Sequence, residues 1–251
     1  MTNTPHRLTA KIDEKMLLAL LIALLLSIVI IPLMESLPIG RVPMLVACTL
    51  VFALGVLTSI RQRAVFVPGI VVAVLATSTT WSSFFIDHAG VFVAGRCLAT
   101  AALLLTAIII LGAVIRQHLA TDHSVYGAIC TYLLLGLAWA MLYSAVDRVD
   151  RNAFDIPHRR LMEASFAGQQ VTAFSQMVFF SFVTMSTLGY GDITPTTQVA
   201  ETLAWLQSVI GQFYLAVLVA RLVSVLPSPI RREEAASEVS AGRGAARDPA
   251  G

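Results

Sequence analysis

Six runs of 19 to 23 residues without a single charge, at 16–34, 42–60, 64–86, 97–115, 124–146 and 202–220, constrain this chain more than any motif in it. A helix rises about 1.5 Å per residue, and crossing a hydrocarbon core of about 30 Å takes about 20 apolar residues. Each run meets that length. Of the 251 residues, 57% are hydrophobic and only 13% charged, about half the charge of an ordinary soluble domain, so the solvent for these runs is lipid. Backbone groups in lipid must bond one another, which makes runs of this length helices. The sequence predicts an all-α membrane protein with six transmembrane helices. The first run is too long for the apolar core of a signal peptide, and it reads as a retained anchor.

Basic residues assign the sides. Arg7, Lys11 and Lys15 precede the first run, Arg61 and Arg63 occupy the second loop, Arg116 the fourth, and Arg231 and Arg232 follow the last run. Such residues gather in the cytoplasm, so both termini are expected there, in a multi-pass protein of the cell membrane. The opposite loops hold Arg41 and a segment, 147–170, in which Arg148, Arg151, Arg159 and Arg160 are balanced by Asp147, Asp150, Asp155 and Glu163. The net charge of +2 is therefore a topological signal and no footprint of nucleic acid. Cys48, Cys97 and Cys130 lie inside the spans or at their edge, without metal-ligand spacing, and read as small apolar residues.

The stretch 164–191 is also uncharged, but it carries Gly168 and two glutamines and ends in Thr-Leu-Gly-Tyr-Gly-Asp. A seventh crossing would carry Arg231 and Arg232 outside. A half-length helix over 173–186 that enters and returns keeps them inside. Non-helical backbone at membrane depth is tolerated only where it is buried in protein or lines a water-filled path. Gly189 and Gly191 take positive φ at little cost. The carbonyls of Thr187, Leu188, Gly189 and Tyr190 can then face one axis, with the Thr187 hydroxyl below them. A row of carbonyls replaces the water shell of a dehydrated alkali cation. One chain supplies a quarter of such a cage, which implies four copies. The half helix would aim the partial negative charge of its C-terminus at the path.

The stretch 184–195, TMSTLGYGDITP, resembles the selectivity-filter signature of the potassium channels. Their Thr-Val-Gly-Tyr-Gly core stands here as Thr187, Leu188, Gly189, Tyr190 and Gly191, followed by Asp192. The resemblance covers 124–226; the first four spans resemble the six-span members in number and length only. It implies a homotetramer that conducts K⁺ passively, with K⁺ held at Thr187, Leu188, Gly189 and Tyr190. Its surroundings would be the lipid bilayer, with no enzymatic activity, no cofactor beyond the permeant ion, no nucleic acid and no small-molecule substrate. The implied organisation is a cytoplasmic segment 1–15, a four-helix peripheral transmembrane domain 16–120, a pore domain 121–227 with outer helix, pore helix, filter and inner helix, and a disordered cytoplasmic tail 228–251.

By the same resemblance the last helix lines the inner pore and bends at a glycine. Gly211 is the hinge candidate, with close helix packing as the equal alternative. No proline occurs in 215–226, so the Pro-x-Pro of voltage-gated members is missing from this helix. Many relatives carry paired tryptophans whose indole ties the filter aspartate. Here Phe179 and Phe180 stand in their place and cannot donate, and Val183 stands where some bacterial relatives place an acid. These three residues and Asp192 are the expected filter support, with the Leu188 side chain packed behind the filter.

The fourth span offers one basic residue, Arg96, near its outer end, where it can snorkel to the interface. Without an arginine ladder, steep voltage gating is not expected. His88, His118 and His123 at span ends read as solvated, and 77–83, TSTTWSS, as bonding between helices. Glu201 and Arg221 bound the last span and are open to ion-attracting or lipid-facing roles. A secondary transporter would show paired interruptions in two related halves, and a single one occurs here. A cation channel of low selectivity would keep the architecture and alter the filter.

Overall fold

Backbone amides that cannot reach water close i to i−4 bonds instead, and the uncharged runs accordingly form helices. The computed structural model describes residues 14–35, 41–58, 63–85, 88–116, 122–157 and 174–225. The elements are α1 Glu14–Glu35, α2 Arg41–Thr58, α3 Arg63–Phe85, α4 Ala89–Arg116, α5 Asp122–Val149, β1 Phe154–Asp155, α6 Phe174–Met185, β2 Thr194–Pro195 and α7 Gln198–Val225. Among the described residues the chain is thus nearly all helical, apart from one antiparallel pairing of β1 with β2. Among the described residues, three stretches are long and apolar enough to cross a membrane: Ala89–Ile115, Val125–Val149 and Gln198–Arg221. The apolar stretches of the first three helices are shorter, Lys15–Ile30, Leu45–Thr58 and Val67–Ser82. With 12 residues, α6 reaches about 18 Å and cannot cross a hydrocarbon core of about 30 Å.

Helix α4 packs against both α3 and α5, α1 against α2 and α5, and α6 between α5 and α7 with α1 touching it. The core runs without a break from Leu20 and Leu24 of α1 through Ile110 of α4 and Leu134 of α5 to Met177 and Phe180 of α6. Gly136 is bare where the Phe182 ring lies on α5; a Cβ there would sit 2.5 Å from that ring. At the other end of α5, the Tyr214 hydroxyl of α7 donates to the Ala128 carbonyl at 2.6 Å.

Several helix boundaries differ from those the charges suggested. Helix α4 starts at Ala89, not near residue 97, because His88 caps it: the Gly90 amide donates to His88 Nδ1 at 3.2 Å, and the Phe92 amide to the His88 carbonyl at 3.2 Å. Arg96 therefore lies inside the helix. It does not snorkel; it is 8% exposed, with its guanidinium 5.0 Å from the Phe92 ring centre and 4.6 Å from that of Phe174, and Nη1 at 2.7 Å from Met141 Sδ. Aromatic faces accept a desolvated cation, which is why a charge here does not end the helix. Helix α5 runs through Asp147 to Val149, where the buried Asp147 carboxylate pairs with Arg151 at 3.1 Å.

The polar stretch of α3 bonds both within its own helix and, as expected, between helices. Thr77, Thr79 and Thr80 donate to carbonyls four residues back, at Ala73, Leu75 and Ala76, the nearest acceptors a helical hydroxyl can find. The bond between helices comes from Trp81, whose indole nitrogen donates to Thr49 Oγ1 of α2 at 3.1 Å. Arg7, Lys11, His118, Arg159, Arg160, Glu163, Arg231, Arg232 and the tail lie outside the described residues.

Candidate functional site

The site is built around the end of α6. One face of this short helix buries Phe174, Met177, Val178, Ser181 and Met185. Phe180 joins Tyr143 of α5 and Phe154 of β1 in a triangle of edge-to-face rings, with centroids 5.0, 5.4 and 5.5 Å apart. Beside them runs a buried polar chain. The Tyr143 hydroxyl donates to Gln207 Oε1 of α7 at 2.6 Å, and Gln207 Nε2 donates to the Ser181 hydroxyl at 2.7 Å and the Ser181 carbonyl at 3.0 Å. The Ser181 hydroxyl in turn donates to the Gly136 carbonyl of α5 at 2.7 Å.

The helix stops in a Schellman arrangement. The Leu188 amide donates to the Val183 carbonyl at 3.0 Å and the Thr187 amide to the Thr184 carbonyl at 3.1 Å, and the residue between helix and exit is left-handed. That residue is Thr187, at φ 58°, where a glycine is usual and a β-branched side chain is strained. Gly189 and Gly191 follow at φ 58° and 79°. No other described non-glycine residue has positive φ, so Leu188 and Tyr190 are negative and the sign alternates along the loop.

Peptide planarity converts these bonds into directions. In a trans peptide the carbonyl points opposite to the amide N–H across the same bond. The amides of Thr187 and Leu188 point back at the end of α6, and that of Gly189 leans to the Val183 carbonyl at 3.4 Å. The carbonyls of Ser186, Thr187 and Leu188 are therefore turned away from the helix. The Thr187 hydroxyl donates to the Ser186 carbonyl at 2.7 Å.

Residues 186–192 are exposed, Tyr190 to 67% and Leu188 to 55%. Within this chain the Leu188 side chain does not pack behind the loop. Phe179 and Phe180 act apart: Phe179 stacks on Tyr190 with rings 6.2 Å apart and parallel to within 1°, while Phe180 faces the core. Val183 contributes its carbonyl. Asp192 Oδ1 accepts the neighbouring Ile193 amide at 3.0 Å. The segment after it is tied down by β1 instead: Phe154 and Asp155 pair with Pro195 and Thr194, the Thr196 amide donates to the Ala153 carbonyl at 2.9 Å, and the Thr196 hydroxyl bonds the Asn152 carbonyl. Sequence reasoning missed Gln207, Ser181 and Tyr143, and it placed Thr187 in the filter without its left-handed backbone. A buried amide midway along an apolar helix was the available signal for the first.

Gly211 falls under the end of α6. A Cβ there would lie 2.6 Å from Met185 Cγ and 3.0 Å from the Met185 carbonyl oxygen. The glycine therefore serves close packing, and α7 is helical straight through it. Gly211→Ala should lower the unfolding temperature in detergent, by a loss of about 1–3 kcal/mol. Trimming the partner with Met185→Ala should not restore it, since a backbone oxygen remains in the way. An unchanged unfolding temperature would leave Gly211 with a hinge role alone.

Residues 127–227 match a family model described as "Ion channel". A segment of 59 residues is 39% identical to the two-pore potassium channel 4 of Arabidopsis thaliana, covering 24% of this chain and 21% of that protein. The match thus spans about a fifth of the relative's length. No solved structure matches. Residues 127–227 thus carry an ion channel domain, and the plant relative is itself a potassium channel.

Proposed function

We propose that the chain is one quarter of a K⁺-selective channel whose filter is Thr187, Leu188, Gly189, Tyr190 and Gly191. The observation that carries this reading is the alternation of φ at 187, 189 and 191 together with amides that point back to α6. A backbone whose φ alternates in sign can bring successive carbonyls to one side, and such oxygens replace the hydration shell of an alkali cation. The first four helices form a peripheral domain over 16–120, the pore domain spans 121–227, six helices cross the membrane, and both termini are cytoplasmic. Gly189→Ala places a Cβ at φ 58°, where it is strained, and should abolish K⁺-selective flux in liposomes. Wild-type protein should pass K⁺ far better than Na⁺ and be blocked by Ba²⁺. Comparable Na⁺ flux would mean a cation channel of low selectivity.

Assembly follows from what lipid cannot do. Trp205, Val209, Phe213 and Val217 of α7 are exposed, and lipid solvates such side chains. It cannot solvate the bare backbone of 186–192, so that loop must meet protein or a water-filled path. Four copies around an axis provide both. With 27.0 kDa per chain, the particle should weigh about 108 kDa apart from detergent, four chains of that mass. A conducting particle of half that mass would refute fourfold assembly.

Voltage should act weakly. Each charge crossing the field contributes about 2.3 kcal/mol per 100 mV, so four copies of Arg96 total about 9, against about 28–37 for the 12–16 charges of a full sensor. Buried between Phe92 and Phe174, Arg96 is also held in place. Planar-bilayer recordings should give a shallow conductance–voltage curve; a slope demanding about eight or more elementary charges would overturn this reading.

A further inference from the structure

Gln207 is fully buried, at 0% exposure, and its amide bonds α7 to α6. One amide answers two helices at once. Its oxygen takes the Tyr143 proton from α5, and its nitrogen reaches both the hydroxyl and the carbonyl of Ser181 on α6. Ser181 then passes its own proton to the Gly136 carbonyl, so every donor in the chain has a defined acceptor. Such a network has one low-energy arrangement, because shifting any member leaves a buried polar group unpaired. It fixes both the height and the rotation of α6 relative to α5 and α7.

Position makes this more than packing. Ser181 lies two residues before Val183, whose carbonyl collects the amides of Leu188 and Gly189. On α7, Gly211 is one turn beyond Gln207 and lies under Met185. The two contacts share a helix face: one clasps the middle of α6 and the other supports its end. We infer that Gln207 is a positioning residue for selective conduction, holding α6 so that the carbonyls of 187–190 keep their alignment, and that displacement of α7 reaches the filter through this amide. The inference rests on the filter reading proposed above.

The test uses the full chain reconstituted in liposomes, comparing K⁺ with Na⁺ flux and measuring the unfolding temperature of each variant. Gln207→Met keeps the volume and loses the amide; Ser181→Ala loses the hydroxyl; Ser181→Thr keeps it; Tyr143→Phe removes one hydroxyl alone and serves where a harsher change prevents folding. Gln207→Met and Ser181→Ala should each lower the K⁺ over Na⁺ ratio by about tenfold, the scale of one unpaired buried group. Ser181→Thr should retain the wild-type ratio, and the double variant should be no worse than Gln207→Met alone. A wild-type ratio in Gln207→Met and Tyr143→Phe, even with lowered unfolding temperature, would reduce the network to a structural part and overturn the inference. If Gly189→Ala abolishes selectivity while Gln207→Met leaves it intact, this inference alone fails. If wild-type protein itself does not discriminate K⁺ from Na⁺, the filter reading fails and takes this one with it.

Discussion

Everything downstream of α6 takes its direction from the carbonyl of Val183. By accepting the Leu188 amide at 3.0 Å and drawing the Gly189 amide to 3.4 Å, it turns two consecutive N–H groups toward the helix. Planar trans peptides do the rest, since each N–H fixed on one side sends the carbonyl of the preceding residue to the other. The cap thus does two things with one set of bonds: it satisfies carbonyls orphaned at the helix end and it orients the loop. A cap of the ordinary glycine type would also end the helix. With Thr187 in that position the loop gains a hydroxyl, at the cost of a strained backbone.

Strain of that kind persists only where the surroundings over-determine it, and the surroundings here are unusually directional for a membrane protein. Elsewhere in the chain many hydroxyls satisfy themselves within their own helix. Ser27, Thr106, Thr131 and Ser144 all donate to the carbonyl four residues back. Around α6 the bonds run between helices instead, from Tyr143 through Gln207 and Ser181 to Gly136. Arg96 adds a second clamp at the start of α6, through its contact with Phe174. The half helix is therefore held at its first residue, its middle and its end.

The helices were legible because lipid leaves the backbone no alternative, and α6 was legible to within a residue at each end, 173–186 against Phe174–Met185. The positive φ of Gly189 and Gly191 was legible for the same reason, since only a residue without Cβ takes it freely. What failed were inferences from side-chain type alone. Arg96 was expected to snorkel to the interface, yet two aromatic faces and a thioether make its buried site habitable. Thr187 was read as a filter residue for its carbonyl and hydroxyl, but its type disfavours φ 58°, and nothing local announces a cap. Gln207 and Ser181 are single polar residues 26 positions apart, and their pairing depends on α6 turning back toward α7, which is a tertiary fact.

Carbonyls brought to one side of a strand of backbone repel one another, because their dipoles are parallel and their oxygens close. On the channel reading, a cation among them relieves that repulsion, so ion and filter stabilise each other. The loop between α6 and β2 must then be stiff at both attachments, or it will relax by rotating a carbonyl outward whenever the cation leaves. At the inner attachment this stiffness comes from the cap and the Gln207 network. At the outer one Asp192 bonds its own neighbour and no indole is at hand from Phe179 or Phe180. The load passes to two residues further on, where β2 pairs with β1 and Phe154 locks into the Tyr143 and Phe180 rings. Tyr143 belongs to both attachments, through its ring on one side and its hydroxyl on the other. The two ends of the loop are in this way referred to the same point on α5.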